Sequence, residues 1–231
     1  RQARGFLDFF DCDAVVKAAG ARNTAVYDGV NLRRTVAIVE DALVDFFEVE
    51  SDTEHQYDYA LHIDGPLLSS SVELTPQEGM LADKPGYQHI SSVRRGPANG
   101  EVVTLWGDDA RRLRLSCAAA DNTEVIVGAG ITNKLDRTMP MLILRRQAAG
   151  TVFASVMQPF TTEEPDAPEW LPQEGGAVAV RLTTPGGTAL IVYNPTQGQV
   201  EVDGLRVPGR LGMRLTRDDG TEVVRQLDAS E

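Results

Sequence analysis

The stretch SDTEHQYDYALHIDG, Ser51 to Gly65, follows directly on RRTVAIVEDALVDFFEVE, Arg33 to Glu50. The earlier stretch is rich in β-branched and aromatic residues, a composition typical of strands. We expect two long strands that run into a loop and return, with the return strand at the end of the later stretch. That stretch crowds five groups capable of hydrogen bonding or proton transfer into eight residues: His55, Tyr57, Asp58, Tyr59 and His62.

Strand patterns dominate the rest of the chain. RLRLS, Arg112 to Ser116, alternates polar and apolar residues, which is the period of a half-buried strand. Asp-Gly pairs such as Asp28-Gly29 and Asp203-Gly204 supply the positive φ angles that tight hairpins need. No stretch of sequence keeps a helical apolar period over several turns. These patterns predict an all-β fold, a large multi-stranded antiparallel β-sandwich with a smaller C-terminal β-sheet.

A proline- and acid-rich stretch interrupts the strand patterns late in the chain. It carries Pro165, Pro168 and Pro172, which favour an irregular connection. We therefore predict a main sandwich over residues 1–160, a connection over 161–176 and a small C-terminal sheet over 177–231.

The composition narrows the classes of partner. The 231 residues include 34 acids and 22 lysines and arginines, so the formal net charge is −12. Such a surface repels phosphate backbones, and we expect no nucleic-acid partner. No apolar run approaches the length of a membrane span. The beginning, RQARGFLDFF, lacks the apolar region of a signal peptide, and we expect the chain to be a portion of a longer protein.

Three segments in order carry a resemblance to a known family. They are FLDFFDCDAVVKAAGARNTAVYDGVNLRRTV from Phe6, LVDFFEV from Leu43 and SDTEHQYDYALH from Ser51. Their order and spacing resemble the C-terminal β-sandwich portion of the heparinase II/III-like polysaccharide lyases, in the oligoalginate-lyase branch. Looser similarity continues to Phe160.

The resemblance implies a parent enzyme that cleaves acidic polysaccharide or oligosaccharide by β-elimination in the periplasm or outside the cell. It implies an upstream helical toroid domain as partner, absent from this chain, and places Tyr27 at the catalytic cleft. It also implies a structural zinc in the parent, with Asp11 as a ligand, or Asp13 if the register shifts. One zinc histidine would fall near Glu40 or Asp41, where this chain has no histidine. A homodimer is left open.

Individual residues allow a functional and a structural interpretation. Tyr27 donates or accepts a proton at a cleft, or packs at a strand end with a wet hydroxyl. His62 and His89 contact sugar, or are structural and solvated histidines. Arg34 belongs to a strip of paired arginines that grips carboxylates, or is ordinary surface charge. Of the two tryptophans, Trp170 in the proline-rich stretch is the better candidate for stacking on a sugar ring, because Trp106 lies in the strand-like stretch VVTLW.

Two functions follow from this reading. The first is the sandwich portion of a lyase, inactive alone, in which Tyr27 transfers a proton. The second is a non-catalytic carbohydrate-binding or structural sandwich that has kept the fold and lost the site.

Overall fold

The computed structural model describes residues 4–13, 15–132, 137–172, 176–196 and 198–228. Within these residues the chain is built from strands and one short 3₁₀ helix. The all-β prediction is confirmed, with a large antiparallel sheet and smaller sheets formed by C-terminal residues. No helix of the described residues is long and apolar enough to cross a membrane.

The chain divides into two compact units. Unit 1 contains residues 1–50 and 165–231, and unit 2 contains residues 51–164. The domain boundaries proposed from the sequence, at residues 160 and 177, stay a prediction.

Unit 1 begins with a run of neighbouring strands in chain order. β1 pairs antiparallel with β2, and β2 with β3, whereas β4 continues past Glu50 into unit 2. These strands are β1 (Phe6–Cys12), β2 (Val16–Tyr27), β3 (Val30–Val39) and β4 (Ala42–His62).

The C-terminal part of unit 1 forms a five-stranded sheet in the order β12-β13-β14-β17-β18 and a separate two-stranded ribbon, β15-β16. Apolar side chains of β13, β14, β15 and β16 pack into a buried cluster that includes Leu190, Val192 and Val207. The strands are β12 (Glu169–Leu171), β13 (Val178–Thr184), β14 (Gly187–Tyr193), β15 (Val200–Val202), β16 (Leu205–Val207), β17 (Leu211–Arg217) and β18 (Glu222–Leu227).

In unit 2 the strand β11 lies between β4 and β10, and the order continues through β7 to β6. β11 also pairs with β9, which leads to β8 and β5. The elements are β5 (Leu67–Ser70), β6 (Thr75–Pro76), the 3₁₀ helix Tyr87–His89, β7 (Ser91–Pro97), β8 (Val102–Gly107), β9 (Arg112–Cys117), β10 (Glu124–Ile131) and β11 (Thr138–Phe160).

Strand β4 differs from the sequence-based expectation. The loop expected after Ser51 is absent, because β4 runs unbroken from Ala42 to His62. The Ser51 hydroxyl donates a hydrogen bond to the carbonyl of Ala149 on β11 (3.0 Å) and lies 2.7 Å from the Tyr57 hydroxyl. Ser51, at the start of the expected loop, is therefore hydrogen-bonded within a strand, where the backbone stays extended.

Candidate functional site

Tyr27 stands at the end of the hairpin formed by β2 and β3. It faces Val30 across the Asp28-Gly29 turn, in which Gly29 has a φ of 72°. The pairing register shifts between Asn23 and Tyr27, because the Asn23 side-chain oxygen accepts hydrogen bonds from two backbone amides that follow it. The Tyr27 side chain is 62% exposed. An exposed phenol can exchange protons with a bound molecule, as the predicted role requires.

The two strands of the same hairpin line a cavity of about 210 Å³ in unit 1. Thr24, Asn31 and Leu32 contribute its hairpin wall. The remaining lining residues all carry charge: Arg22, Arg33, Arg210, Glu48 and Glu50. This cavity, which we call the hairpin cavity, therefore combines three guanidinium groups with two carboxylates.

Two of these arginines share one buried acid on the neighbouring strand. The Asp8 side chain is only 1% exposed. It forms an ion pair with Arg22, and its Oδ2 lies 3.0 Å from Nε of Arg33. Since one carboxylate faces two guanidinium groups, this trio keeps a positive charge beside the hairpin cavity.

Glu48 is oriented by a tyrosine from the C-terminal sheet. The Tyr193 hydroxyl donates a hydrogen bond to Oε2 of Glu48 (2.5 Å), and Nη1 of Arg210 lies 3.4 Å from the same oxygen. The Tyr193 ring stacks on Phe46 with centroids 4.9 Å apart. Burial, followed by the charge of Glu48, raises the pKa of Tyr193 well above its ordinary value. Tyr193 thus stays a donor and holds the Glu48 carboxylate in place.

Arg34, a predicted substrate contact, is engaged with a buried acid. Its Nε lies 3.0 Å from Oδ1 of Asp45 and its Nη2 lies 2.6 Å from Oδ2. The Asp45 side chain is fully buried, whereas that of Arg34 is 52% exposed. The guanidinium therefore neutralises an interior carboxylate, and its role in glycan binding stays a prediction.

The predicted zinc ligands lie at the opposite end of β2 from Tyr27. Asp11 pairs with Ala18, which lies nine residues, or roughly 30 Å of extended strand, from Tyr27. The Asp13 carboxylate accepts hydrogen bonds from the amides of Val15 and Val16 (2.7 Å each). It also accepts two from Arg225.

These hydrogen bonds occupy both carboxylate oxygens of Asp13, which would otherwise bind a metal ion. The amide hydrogen bonds, with help from the arginine, lower its pKa to about 2. In the described part of the chain no group of three or more His, Cys, Asp or Glu side chains could hold a metal ion. Among the described residues the donor set does not fit a zinc site, and Asp11 as a ligand stays a prediction.

The other predicted contacts belong to other elements than the Tyr27 hairpin. Trp170 lies half-buried in strand β12 of unit 1, within the stretch expected to be a connection, where it pairs with Val180. His62 and His89 belong to unit 2 and are both exposed, at the end of β4 and of the 3₁₀ helix respectively.

Known proteins share sequence or fold with this chain. No protein-family model matches the chain. An alginate lyase of Stenotrophomonas maltophilia (strain K279a) is 29% identical over 165 residues, which are 65% of this chain. The heparan sulfate lyase HepC of Pedobacter heparinus superposes over 99% of the chain at a TM-score of 0.55 and 12% identity. A heparinase III superposes over 82% at a TM-score of 0.52 and 12% identity.

This chain resembles heparinase-like and alginate-lyase-like polysaccharide lyases. The resemblance stated from the sequence motifs is confirmed. The chain spans 22% of the length of the alginate lyase and 29% of the HepC chain. The structural likeness shows a shared fold, whereas the alginate lyase also shares sequence.

Sequence reasoning missed part of the hairpin cavity of this lyase-like chain. Glu48 and Tyr193 are 145 positions apart and meet only because β4 and β14 fold into the same unit. Arg210 lies outside any strand pattern, just before β17. Within the sequence only the position of Tyr27, directly before an Asp-Gly turn, signalled a side chain at a strand end.

Proposed function

We propose that this chain is the β-strand portion of a polysaccharide lyase that cleaves uronic-acid-containing polysaccharide by β-elimination. The similarity to an alginate lyase and the fold shared with heparan sulfate lyases support the reaction class. The observation that carries the residue assignment is the exposed phenol of Tyr27, on the same hairpin that lines an arginine-rich cavity.

The reaction sets the chemical demands. A base removes the C5 proton, which is α to the carboxylate, and the C5–H electron pair forms the C4–C5 double bond. The C4–O bond breaks, and the leaving glycosidic oxygen receives a proton. The C5 proton becomes acidic enough only when positive charge or hydrogen bonds neutralise the carboxylate.

We assign one of these proton transfers to Tyr27, since an exposed phenol can reach the sugar and exchange its proton. We assign part of the carboxylate neutralisation to Arg22, whose side chain is 46% exposed and which shares the Asp8 carboxylate with Arg33. A guanidinium donates two parallel hydrogen bonds to a carboxylate, which suits this role.

The remaining groups come from elsewhere in our proposal. The described residues that line the hairpin cavity include no histidine and no tyrosine. We therefore assign the second proton-transfer group to an upstream helical domain of the parent protein, and place that parent in the periplasm or outside the cell. The chain alone is then inactive.

The test is Tyr27→Phe in the full-length parent enzyme, with alginate and heparan sulfate as separate substrates and ultraviolet absorbance of the unsaturated product as readout. We expect the turnover to fall about 100-fold or more, with the same circular dichroism and unfolding midpoint. Tyr87→Phe, which removes a phenol from unit 2, is the matched control. Turnover unchanged by Tyr27→Phe would remove the assignment.

A second candidate function is a non-catalytic carbohydrate-binding domain. It is favoured by the pairing of the cavity arginines with Asp8 and Glu48, which leaves few charges free for chemistry. This alternative predicts that Tyr27→Phe leaves glycan affinity unchanged and that the parent produces no unsaturated sugar.

A further inference from the structure

Unit 2 contains two neighbouring cavities that have His62 and Asp64 in common. The first, of about 290 Å³, is bounded by the end of β8 and the start of β9, including Arg111 and Arg112. The second, of about 600 Å³, is bounded by the start of β11 and by Arg137, which precedes it. Side by side, they have the size of a small-molecule binding site.

The charge of this region is opposite to that of the whole chain. His62, Arg111, Arg112 and Arg137 line the two cavities, and Asp64 is their single acidic residue among those described. The chain as a whole carries a formal charge of −12. A local concentration of basic groups in an acidic protein attracts an anionic ligand that the rest of the surface repels.

The guanidinium groups of this region are available. Among the described residues neither Arg111 nor Arg137 forms an ion pair within 4.0 Å, and both residues are exposed, although the charge of Arg111 helps to lower the pKa of the nearby Asp108. Arg112 pairs with Asp109 at 3.4 Å, but that carboxylate is fully exposed, and such pairs contribute little. An incoming carboxylate can therefore replace water at these arginines without breaking a buried pair.

The ring of His62 lies beside Gly130 of β10. A Cβ atom at Gly130 would lie 3.2 Å from Nε2 of His62 and 2.9 Å from the sulfur of Met141. Glycine at position 130 thus makes the space that the imidazole occupies. The imidazole lines both cavities, which suits a side chain that contacts a ligand spanning both.

The cavity walls also offer apolar surface. Leu61, Leu113 and Met157 line the first cavity, and Met139 and Pro140 line the second. Sugar rings have apolar C–H faces and polar edges. Apolar walls with a few convergent charged groups therefore match an acidic sugar.

We propose that this region, the His62 groove (His62, Asp64, Arg111, Arg112, Arg137 and Pro140), binds a uronate residue of an acidic oligosaccharide. The substrate class rests on the proposed function, whereas the location in unit 2 does not. In the groove the arginines hold the carboxylate, the imidazole donates to a hydroxyl or carboxylate oxygen, and the apolar wall contacts the ring face.

The test uses the full 231-residue chain, which in our proposal does not cleave glycan, and a short oligomannuronate as probe. Isothermal titration calorimetry gives the affinity, and the NMR signals of the His62 imidazole, assigned by comparison with His62→Gln, report the place of binding. We expect Arg111→Ala and Arg137→Ala each to weaken binding about five- to tenfold, as expected for a charged hydrogen bond to a partly solvated group. Arg94→Ala, an exposed arginine of unit 2 outside the groove, should change nothing.

Two further variants separate placement from charge. Gly130→Ala crowds the imidazole and the Met141 sulfur while every charge stays, and should weaken binding less than His62→Gln does. If Gly130→Ala fails to fold, His62→Gln alone decides whether the imidazole contributes. Equal affinity for a neutral oligosaccharide of the same length would overturn the anionic part of the proposal.

The outcomes are distinguishable from those of the lyase test. Oligomannuronate affinity unchanged in Arg111→Ala, Arg137→Ala and His62→Gln would overturn the His62 groove and leave the Tyr27 assignment standing. The same holds if the intact chain binds no uronate. Loss of turnover in Tyr27→Phe, with groove binding intact, would support both proposals at once.

Discussion

The Arg34–Asp45 pair offers a sharp test of whether a basic residue of this chain serves folding or binding. Asp45 is fully buried and receives hydrogen bonds at 3.0 Å and 2.6 Å from Arg34. Removing one partner of a buried pair costs about 3–5 kcal/mol, because the other charge loses its compensation. Since the Arg34 side chain is 52% exposed and water screens it, we expect about 2–3 kcal/mol for Arg34→Met.

For a chain of this size the loss corresponds to a fall in unfolding midpoint of about 4–12 °C. The assay is thermal and urea unfolding of Arg34→Met, Asp45→Asn and the double variant. The double variant should lose less than the sum of the single losses, because a neutral side chain no longer needs the guanidinium. Arg114→Ala, whose partner Glu164 is 43% exposed, is the control and should cost below about 1 kcal/mol. A stable Arg34→Met with weakened oligouronate binding would refute the reasoning and assign Arg34 to a glycan site.

Two pH-dependent predictions follow from local contacts. Burial, together with the bond to the Asp58 carboxylate, raises the pKa of Tyr87 to about 12, so its stabilising contribution is complete below pH 10 and lost as the pH rises towards 12. Tyr87→Phe should remove a late step from the ultraviolet titration of the tyrosines; an unchanged titration would contradict this. Asp13, whose pKa falls from 3.8 to about 2, stabilises fully above pH 3.8 and loses its effect as the pH falls through 2. Asp13→Asn should flatten thermal stability over that interval, and a profile identical to the wild type would contradict the role of its amide and Arg225 bonds.

The fold class could be predicted because turns and alternation are local properties. The Asp28-Gly29 and Asp203-Gly204 pairs do form turns, with φ of 72° at Gly29 and 48° and 73° at the second pair. Strand lengths could not be predicted in the same way. β11 runs unbroken from Thr138 to Phe160, because it pairs with β10 near its start and with β9 near its end, and no local pattern specifies this change of partner.

Of the candidate site, only the position of Tyr27 at a strand end could be predicted from the sequence, because one short segment decides it. The turn after Tyr27 places that side chain at a strand end, and its ring is exposed. The partners of the hairpin cavity, Asp8, Glu48 and Tyr193, come from strands far apart in sequence. No local pattern specifies which acid will be buried beside which arginine, since that depends on register and on the packing of the whole unit.

Adjacent arginines occur in pairs in the sequence, as at Arg33-Arg34, Arg111-Arg112 and Arg145-Arg146. They show that the burial of an arginine's acidic partner has to be known before a function is assigned to that arginine. Arg34 faces a buried carboxylate, and Arg145 makes two hydrogen bonds to Asp58, a side chain only 7% exposed. Arg146 is itself buried, which lowers its pKa to about 10, and it donates to hydroxyl and carbonyl oxygens. Arg111 differs from all of these, because it lines a cavity with an exposed side chain. In the sequence these arginine pairs look alike, but Arg34 and Arg145 neutralise buried carboxylates and would destabilise the fold on leaving them, whereas Arg111 can meet a ligand without that cost.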